Sequence, residues 1–231
     1  MNLNLQPKLE MNLQLPQVLL KESNNQYERL KGKLTLEQFK VFDDRAEFKT
    51  VIALSDFVAN TIFSYPDVCT KLVEQGALDS DTFSLDPKDA VNSYIEDKLS
   101  EFELKKRLRI LRRTRAMVIA WRDLTGKASI DEVLVSLSNL AEAIVLRTID
   151  VVRAQLKNAY GDAVDENGKP LPLLTLGMGK LGGQELNFSS DIDLIFAYPF
   201  EGQTVGSVRQ LTHREFFSRI VQRTANMLSD Q

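Results

Sequence analysis

The sequence of 231 residues has one cysteine, one histidine and one tryptophan, and it lacks a long uninterrupted apolar run. The single cysteine, Cys69, excludes a disulfide within the chain and predicts a protein of the reducing cytoplasm. No stretch reaches the roughly 18 apolar residues of a membrane span, so we expect no membrane insertion. The net charge of −3 lacks the basic excess typical of nucleic-acid-binding proteins, and we expect no nucleic-acid partner.

The proportions that remain are ordinary, with 43% hydrophobic and 26% charged residues. A chain of this length and composition can bury a sizeable core, which predicts a globular fold. The N-terminal part is rich in Asn, Gln and Leu. We interpret residues 1–34 as a loosely ordered arm with a short helix near residues 18–30.

Helical patterns dominate residues 35–161, which we predict to form an all-helical domain. Thr35 is a suitable N-cap for a helix expected to run to Phe63. Ser129 and Gly161 bracket a second, long helix in the same way. Three other helices are predicted in this domain. A short one ends near residue 75, a second begins near residue 88, and a third covers residues 101–124.

The pattern changes in residues 170–231, where we predict the start of a second domain that contains a sheet. The apolar runs 171–176 and 191–198 are predicted strands, and Pro199 stops the second of them. A last helix is expected over residues 212–228. The predicted fold class is therefore α+β, with an all-helical lobe followed by a small lobe of strands and helices.

Two carboxylates lie two positions apart in the second predicted strand, as Asp191 and Asp193. On a strand this spacing directs both side chains to one face, while the apolar residues between and after them face a core. Adjacent carboxylates repel each other unless a cation lies between them. The pair therefore predicts a hard divalent metal site, and Mg²⁺ is the expected ion.

A glycine-rich turn precedes the carboxylates. Its four glycines are Gly177, Gly179, Gly182 and Gly183. Glycines let backbone amides approach a phosphate closely, although some are needed only for a tight turn. Lys180 is a candidate phosphate partner or a solvent-facing lysine. Ser189 and Ser190 are candidates for binding phosphate or orienting Asp191, or they bond only to their own turn.

Two familiar phosphate-binding motifs do not fit this turn. A P-loop requires Ser or Thr after its Gly-Lys pair, whereas Leu181 follows Lys180 here. A dinucleotide-binding fingerprint requires a full helix after the glycines and an acidic residue about 20 positions further on. Here the acids come earlier and as a pair within a predicted strand.

The run from Gly177 to Phe196 resembles the signature of the nucleotidyltransferase superfamily typified by DNA polymerase beta, in which a glycine precedes Asp-x-Asp by about a dozen residues. Eleven residues separate Gly179 from Asp191. The full spelling, Gly-Met-Gly-Lys-Leu-Gly-Gly-Gln-Glu-Leu-Asn-Phe-Ser-Ser-Asp-Ile-Asp-Leu-Ile-Phe, resembles the N-terminal signature of the bifunctional glutamine synthetase adenylyltransferase/adenylyl-removing enzymes. Further similar segments extend this likeness from about residue 40 to the end; they are residues 108–115, 120–124, 137–143 and 216–223.

This resemblance implies a polymerase beta-like lobe, here expected to be truncated, in which Asp191 and Asp193 bind metal and are catalytic. It implies that this N-terminal module removes AMP from a tyrosine of glutamine synthetase, using phosphate and releasing ADP, while a separate module uses ATP to add AMP. A nitrogen-signalling regulatory protein is a further implied partner. Family members add a third carboxylate from a later strand, so we expect a chain of this extent to bind metal weakly and to turn over poorly.

Two alternatives stay open. One is another nucleotidyltransferase of the superfamily, such as a uridylyltransferase acting on a signal protein. The other is an inactive chain that binds nucleotide or glutamine synthetase without turnover.

Two other features have less specific readings. The basic stretch 104–115 is expected to form a solvated helix buttressed by nearby acids, and a docking surface for an acidic protein or the modified loop is the sharper alternative. The acids expected to buttress it are Glu96, Asp97, Glu101 and Glu103. His213 is expected to be a surface or capping residue.

Overall fold

The computed structural model describes residues 16–79 and 86–229. Helices dominate these residues, and two short strands lie in the C-terminal third. In chain order the elements are α1 (Gln17–Lys33), α2 (Leu36–Asp43), α3 (Phe48–Leu54), α4 (Asp56–Ser64), α5 (Pro66–Glu74), α6 (Lys88–Tyr94), α7 (Glu101–Leu124), α8 (Ile130–Tyr160), β1 (Leu174–Gly177), α9 (Gly179–Gly182), β2 (Leu194–Ala197) and α10 (His213–Leu228). The α+β class predicted from the sequence is confirmed.

The helix expected near residues 18–30 is confirmed as α1, whereas the expectation of loose order is wrong for residues 17–33, because this helix is packed. Leu30 is fully buried and Leu34 nearly so, and both belong to the apolar core formed by α2–α5 and the C-terminal half of α7. Ser23 also donates a hydrogen bond to the carbonyl oxygen of Lys49, at 2.9 Å. Residues 17–33 are therefore part of the helical bundle, and the remainder of the predicted arm, residues 1–15, lies outside the described residues.

The single helix expected from Thr35 to Phe63 is wrong, because the structure has three shorter helices there. Thr35 does cap α2, in a reciprocal arrangement with Gln38. The chain then turns after Asp43, where α2 ends. A second break occurs at Ser55, which has an extended backbone. The Ser55 hydroxyl accepts a hydrogen bond from the amide of Val58 and so caps α4. These breaks allow α2, α3 and α4 each to contribute residues to the first core.

Two long helices, α7 and α8, form the centre of the molecule. Ser100 and Ser129 cap their N-termini, and α8 ends as predicted at Gly161, which has a φ of +76°. A Cβ atom at Gly161 would lie 2.3 Å from the carbonyl oxygen of Val205, so the close approach requires glycine. Helix α7 contributes to the first core and to a second core with α6 and α8.

The two strands pair antiparallel, with Leu174 opposite Ala197 and Gly177 opposite Leu194. Their inner face packs with α10 and the C-terminal half of α8 in a third core, in which Phe216 and Phe217 are buried. Their outer face is apolar and open, because Leu174, Leu176 and Ile195 are each about half exposed. Among the described residues, β1 and β2 pair only with each other.

The expectation for His213 needs correction, since its side chain is only 2% exposed. Thr212 is the cap of α10, and His213 occupies the first helical position. Its two ring nitrogens each lie 3.1 Å from a backbone carbonyl oxygen, of Phe200 and of Gln203. The histidine therefore anchors the preceding loop to α10. No helix within the described ranges is long and apolar enough to cross a membrane.

Candidate active site

The glycine-rich turn that follows β1 is held by backbone hydrogen bonds. The amide of Met178 donates to the carbonyl oxygen of Asp193 at 2.9 Å, which extends the β1–β2 pairing by one step. The chain then makes the single helical turn α9, and Gln184 follows it with a left-handed φ of +58°. The glycine-rich turn expected from the sequence is therefore present, and it contains this one helical turn.

The glycines have different structural roles. A Cβ atom at Gly182 would lie 2.5 Å from the carbonyl oxygen of Gly177, so these two glycines permit the turn to close on itself. Gly179 has a left-handed φ of +54°, and a Cβ atom there would meet nothing within 4 Å. Open space around a glycine backbone suits the approach of a ligand. Lys180 is exposed beside it.

Asn187 organises the loop that leads to the carboxylates. Its side-chain oxygen accepts hydrogen bonds from the Ser190 hydroxyl, at 2.7 Å, and from the amide and hydroxyl of Ser189, at 3.1 and 3.3 Å. The amide of Leu186 donates to the Ser138 hydroxyl on α8, which fixes the start of this loop to the helical core. Both serines of the motif therefore contact Asn187, and this arrangement favours their turn-forming role.

Asp191 and Asp193 lie immediately before β2, which begins at Leu194; the strand predicted from residue 191 starts three residues later. The expected alternation nevertheless holds, because both aspartates are exposed while Ile192 and Leu194 are partly buried. The two carboxylates therefore occupy the exposed side of an extended segment, next to the glycine turn.

The chemistry of the donor set fits a hard cation. Carboxylate oxygens are the protein ligands that Mg²⁺ prefers, and one or two of them commonly suffice when a phosphate supplies further oxygens. Neither carboxylate, of Asp191 or of Asp193, has a hydrogen bond or ion pair with another described residue. Within the described residues, however, no group of three or more His, Cys, Asp or Glu side chains is arranged to hold a metal.

A groove of about 1,060 Å³ opens beside this segment. It lies between α7, α8, α10 and the loop that carries Asn187, Ser190 and Asp191, and most of its lining is apolar. Arg109, Arg112 and Arg113 of α7 also line it. The groove therefore brings the basic stretch of the sequence to the same cavity as the Asp-x-Asp motif.

The buttressing expected for that basic helix is confirmed in part. Glu96 does pair with Arg107, at 2.8 Å. Asp97 instead pairs with Arg147 on α8, Glu101 lies 3.7 Å from Arg223 on α10, and Glu103 caps the helix through Ser100. These acids tie α7 to its neighbours at its N-terminal end, and they leave the arginines further along the helix facing the groove.

One brace at the edge of the site has no obvious sequence signal. Arg153 on α8 donates to the buried carboxylate of Asp162, at 2.8 Å, and to the carbonyl oxygen of Leu171, at 2.6 Å. Asp162 in turn exchanges two backbone hydrogen bonds with Val205. The pair holds the chain that enters β1 against α8. Asp162 and Val205 are distant in sequence, so spacing alone does not reveal this arrangement.

Comparisons with known protein sequences identify the family of this chain. A family profile for glutamate-ammonia ligase adenylyltransferase matches residues 45–231. Similar curated proteins include the bifunctional glutamine synthetase adenylyltransferase/adenylyl-removing enzymes of Shewanella loihica, 41% identical over 85% of this chain and 20% of that protein, and of Pseudomonas aeruginosa, 37% identical over 79% and 19%. The chain thus spans about a fifth of the length of these relatives. It belongs to the glutamate-ammonia ligase adenylyltransferase family.

Proposed function

We propose that this chain carries a metal-dependent nucleotidyltransferase site that controls glutamine synthetase, and that the site removes AMP from a synthetase tyrosine. The observation that carries the proposal is the pair of exposed carboxylates, Asp191 and Asp193, beside a glycine turn with open space at Gly179. The names of the relatives support the protein substrate and the two opposed activities.

In the proposed reaction an oxygen of inorganic phosphate attacks the phosphorus of the AMP–tyrosine diester. A new phosphorus–oxygen bond forms, the bond to the tyrosine oxygen breaks, and that oxygen takes up a proton. The products are ADP and unmodified synthetase. ATP is the donor for the opposite reaction, which we assign to a separate module, and a nitrogen-signalling regulatory protein is the proposed controller.

The residues of this chain bind and position the reactants. Asp191 and Asp193 would hold Mg²⁺, which when bound neutralises charge that develops on the phosphoryl oxygens. Backbone amides of the turn around Gly179 would face the phosphate, and Lys180 would place a positive charge beside it. Asn187 would keep the loop in the conformation that presents Asp191.

The test is an assay of ADP released from adenylylated glutamine synthetase with phosphate and Mg²⁺. We expect Asp191→Asn to lower the rate at least about 100-fold, because it removes a metal ligand at the reacting phosphorus. Asp131→Asn is the matched control, since Asp131 is an exposed carboxylate in the first turn of α8. Equal and measurable rates for wild type and Asp191→Asn would contradict the proposed site.

Binding without turnover is the second candidate, favoured by the fact that only two carboxylates meet among the described residues. The same assay is therefore run with the 231-residue chain and with a longer chain extended by downstream family sequence. ADP from the longer chain alone supports a site completed by further residues. Release of UMP from a modified signal protein would point instead to a uridylyltransferase. Absence of any product, with Mg²⁺-dependent nucleotide binding retained in calorimetry, would favour the binding role.

A further inference from the structure

The groove beside the Asp-x-Asp segment has an apolar floor and a basic wall. Leu140 and Ile144 of α8 and Leu194 of β2 contribute to the floor. Arg109, Arg112 and Arg113 form the wall; spaced at i, i+3 and i+4 on α7, they lie on one side of that helix. We refer to these three residues as the arginine wall.

The arginine wall retains positive charge that no described acid neutralises. Arg109 and Arg112 are exposed, and neither guanidinium group makes a hydrogen bond or ion pair with a described residue. Arg113 is partly buried over the ring of Phe57, 5.8 Å from its centroid, and its Nε atom is buried without a hydrogen-bond partner. Asp123 and Asp191 are the acids that line the groove within the described ranges. Three arginines against two aspartates leave the lining of the groove with a net positive charge.

The combination selects a particular occupant. Arginine recognises carboxylates and phosphates with its planar fork of donors, and an apolar floor favours aliphatic or aromatic side chains. At about 1,060 Å³, the groove lies at the upper end of the sizes usual for small-molecule pockets, and it is open along one side. We propose that the groove and the arginine wall dock an acidic, amphipathic segment of the protein substrate, the segment whose tyrosine carries AMP.

The position of the groove supports this occupant. Asn187, Ser190 and Asp191 form part of its lining, so a segment lying in it runs directly past the proposed catalytic carboxylate. The AMP–tyrosine diester is itself an anion, which adds to the attraction exerted by the arginine wall. The inference rests on the proposed function for the identity of the substrate.

The test measures binding separately from turnover. Adenylylated glutamine synthetase is immobilised, and the affinities of wild type and of an Arg109→Glu/Arg112→Glu double variant are compared at low and high ionic strength. Reversal of two charges that face an acidic partner is expected to weaken binding at least about tenfold and to remove most of its salt dependence. Arg109→Lys/Arg112→Lys, which keeps the charge, should bind within about threefold of wild type.

Two controls separate docking from misfolding and from catalysis. Arg209→Glu reverses an exposed arginine outside the groove and should bind as wild type does. Circular dichroism checks that the variants remain folded. Asp191→Asn should still bind the synthetase while releasing ADP at least about 100-fold more slowly, because it removes a proposed metal ligand and leaves the arginine wall intact.

Each result supports or overturns the docking surface. Equal binding by wild type and the glutamate double variant overturns it and leaves the reaction untouched. Arginine-dependent binding with no ADP from this chain or from the longer chain supports the docking surface and overturns the reaction. No binding by wild type, or concentration-dependent dimerisation that the double variant abolishes, overturns the proposed partner, the latter because a second copy of the chain would then be the occupant.

Discussion

A single methyl group at Gly182 would collide with the carbonyl oxygen of Gly177, whereas one at Gly183 would make an ordinary contact at 3.6 Å. We therefore expect Gly182→Ala to displace the turn after β1 and to reduce nucleotide binding at least about tenfold, because the amides that would face a phosphate are shifted. Gly183→Ala is the matched control, with the same change in side chain one position later. Isothermal titration with ADP and Mg²⁺ measures both, and similar losses in the two variants would argue against a role for the turn geometry.

Asp79 contributes a pH dependence that can be isolated. Hydrogen bonds from Arg45 and then Lys127 hold the pKa of its carboxyl at about 2, below the ordinary value of 3.8. Because the folded state binds this proton less readily, the stabilisation is present above about pH 4 and is lost as the pH falls toward 2. The side chain is about half exposed, so the effect is modest.

The measurement is the urea midpoint of wild type and Asp79→Asn at several pH values. We expect wild type to be the more stable protein at neutral pH and the difference to shrink below pH 4. A difference that stays constant from neutral pH to pH 3 would mean that the ion pairs of Asp79 do not contribute in solution.

The junction of α7 and α8 depends on one buried cation. The Arg122 side chain is 1% exposed, lies 2.7 Å from Glu132 and donates to the carbonyl oxygen of Lys127 at 3.0 Å. Removal of one partner from such a pair leaves an uncompensated buried charge, so Glu132→Gln is expected to lower the free energy of unfolding by about 3 kcal/mol. Glu96→Gln breaks an exposed pair and should cost less than about 1 kcal/mol. Chemical denaturation of both variants measures the two losses in the free energy of unfolding. Equal losses would contradict the special role of the buried pair.

At the scale of secondary-structure elements, helix ends marked by capping residues were predictable from the sequence, whereas the breaks between short packed helices were not. The ends of α7 and α8 follow from the caps Ser100 and Ser129 and from Gly161, which act locally and are visible in the sequence. The three helices between Thr35 and Phe63 were predicted as one, because their apolar residues continue at helical spacing across the breaks. Ser55 carries the sequence signal for the start of α4, since serine followed by aspartate is a common helix start.

The candidate site, too, was predictable only where its features depend on local sequence. The short glycine turn and the one-sided exposure of Asp191 and Asp193 follow from spacing and from the allowed backbone conformations of glycine. The approach of Arg109 and Arg112 to the groove, and the burial of His213 between two carbonyl oxygens, depend on contacts between distant segments. No local pattern carries that information.

The whole molecule is joined through its central helices. Met117 and Trp121 of α7 belong to the first core, while Leu108 and Leu111 of the same helix belong to the second. Leu181, from the region predicted as the second domain, is also part of the second core. Whether residues 35–161 and 170–231 behave as separate domains stays a prediction from the sequence, and the shared core argues for joint unfolding.

Trp121 allows this to be measured without labels. It is the one tryptophan of the chain, is fully buried and stacks on Phe48 with ring centroids 6.1 Å apart. We expect urea unfolding followed by tryptophan fluorescence and by far-ultraviolet circular dichroism to have the same midpoint, because the first reports the N-terminal core and the second the whole chain. Two separated transitions would show that the cores unfold independently.

The open outer face of the two-stranded sheet has a consequence for handling the protein. Leu174, Leu176 and Ile195 present apolar surface, and within the described residues the outer edge of each strand has no neighbouring strand. Unpaired strand edges with apolar side chains are templates for intermolecular pairing, and a net charge of only −3 provides little repulsion between molecules. Colloidal stability of this chain is therefore limited by its sheet, and aggregation in concentrated samples should begin there.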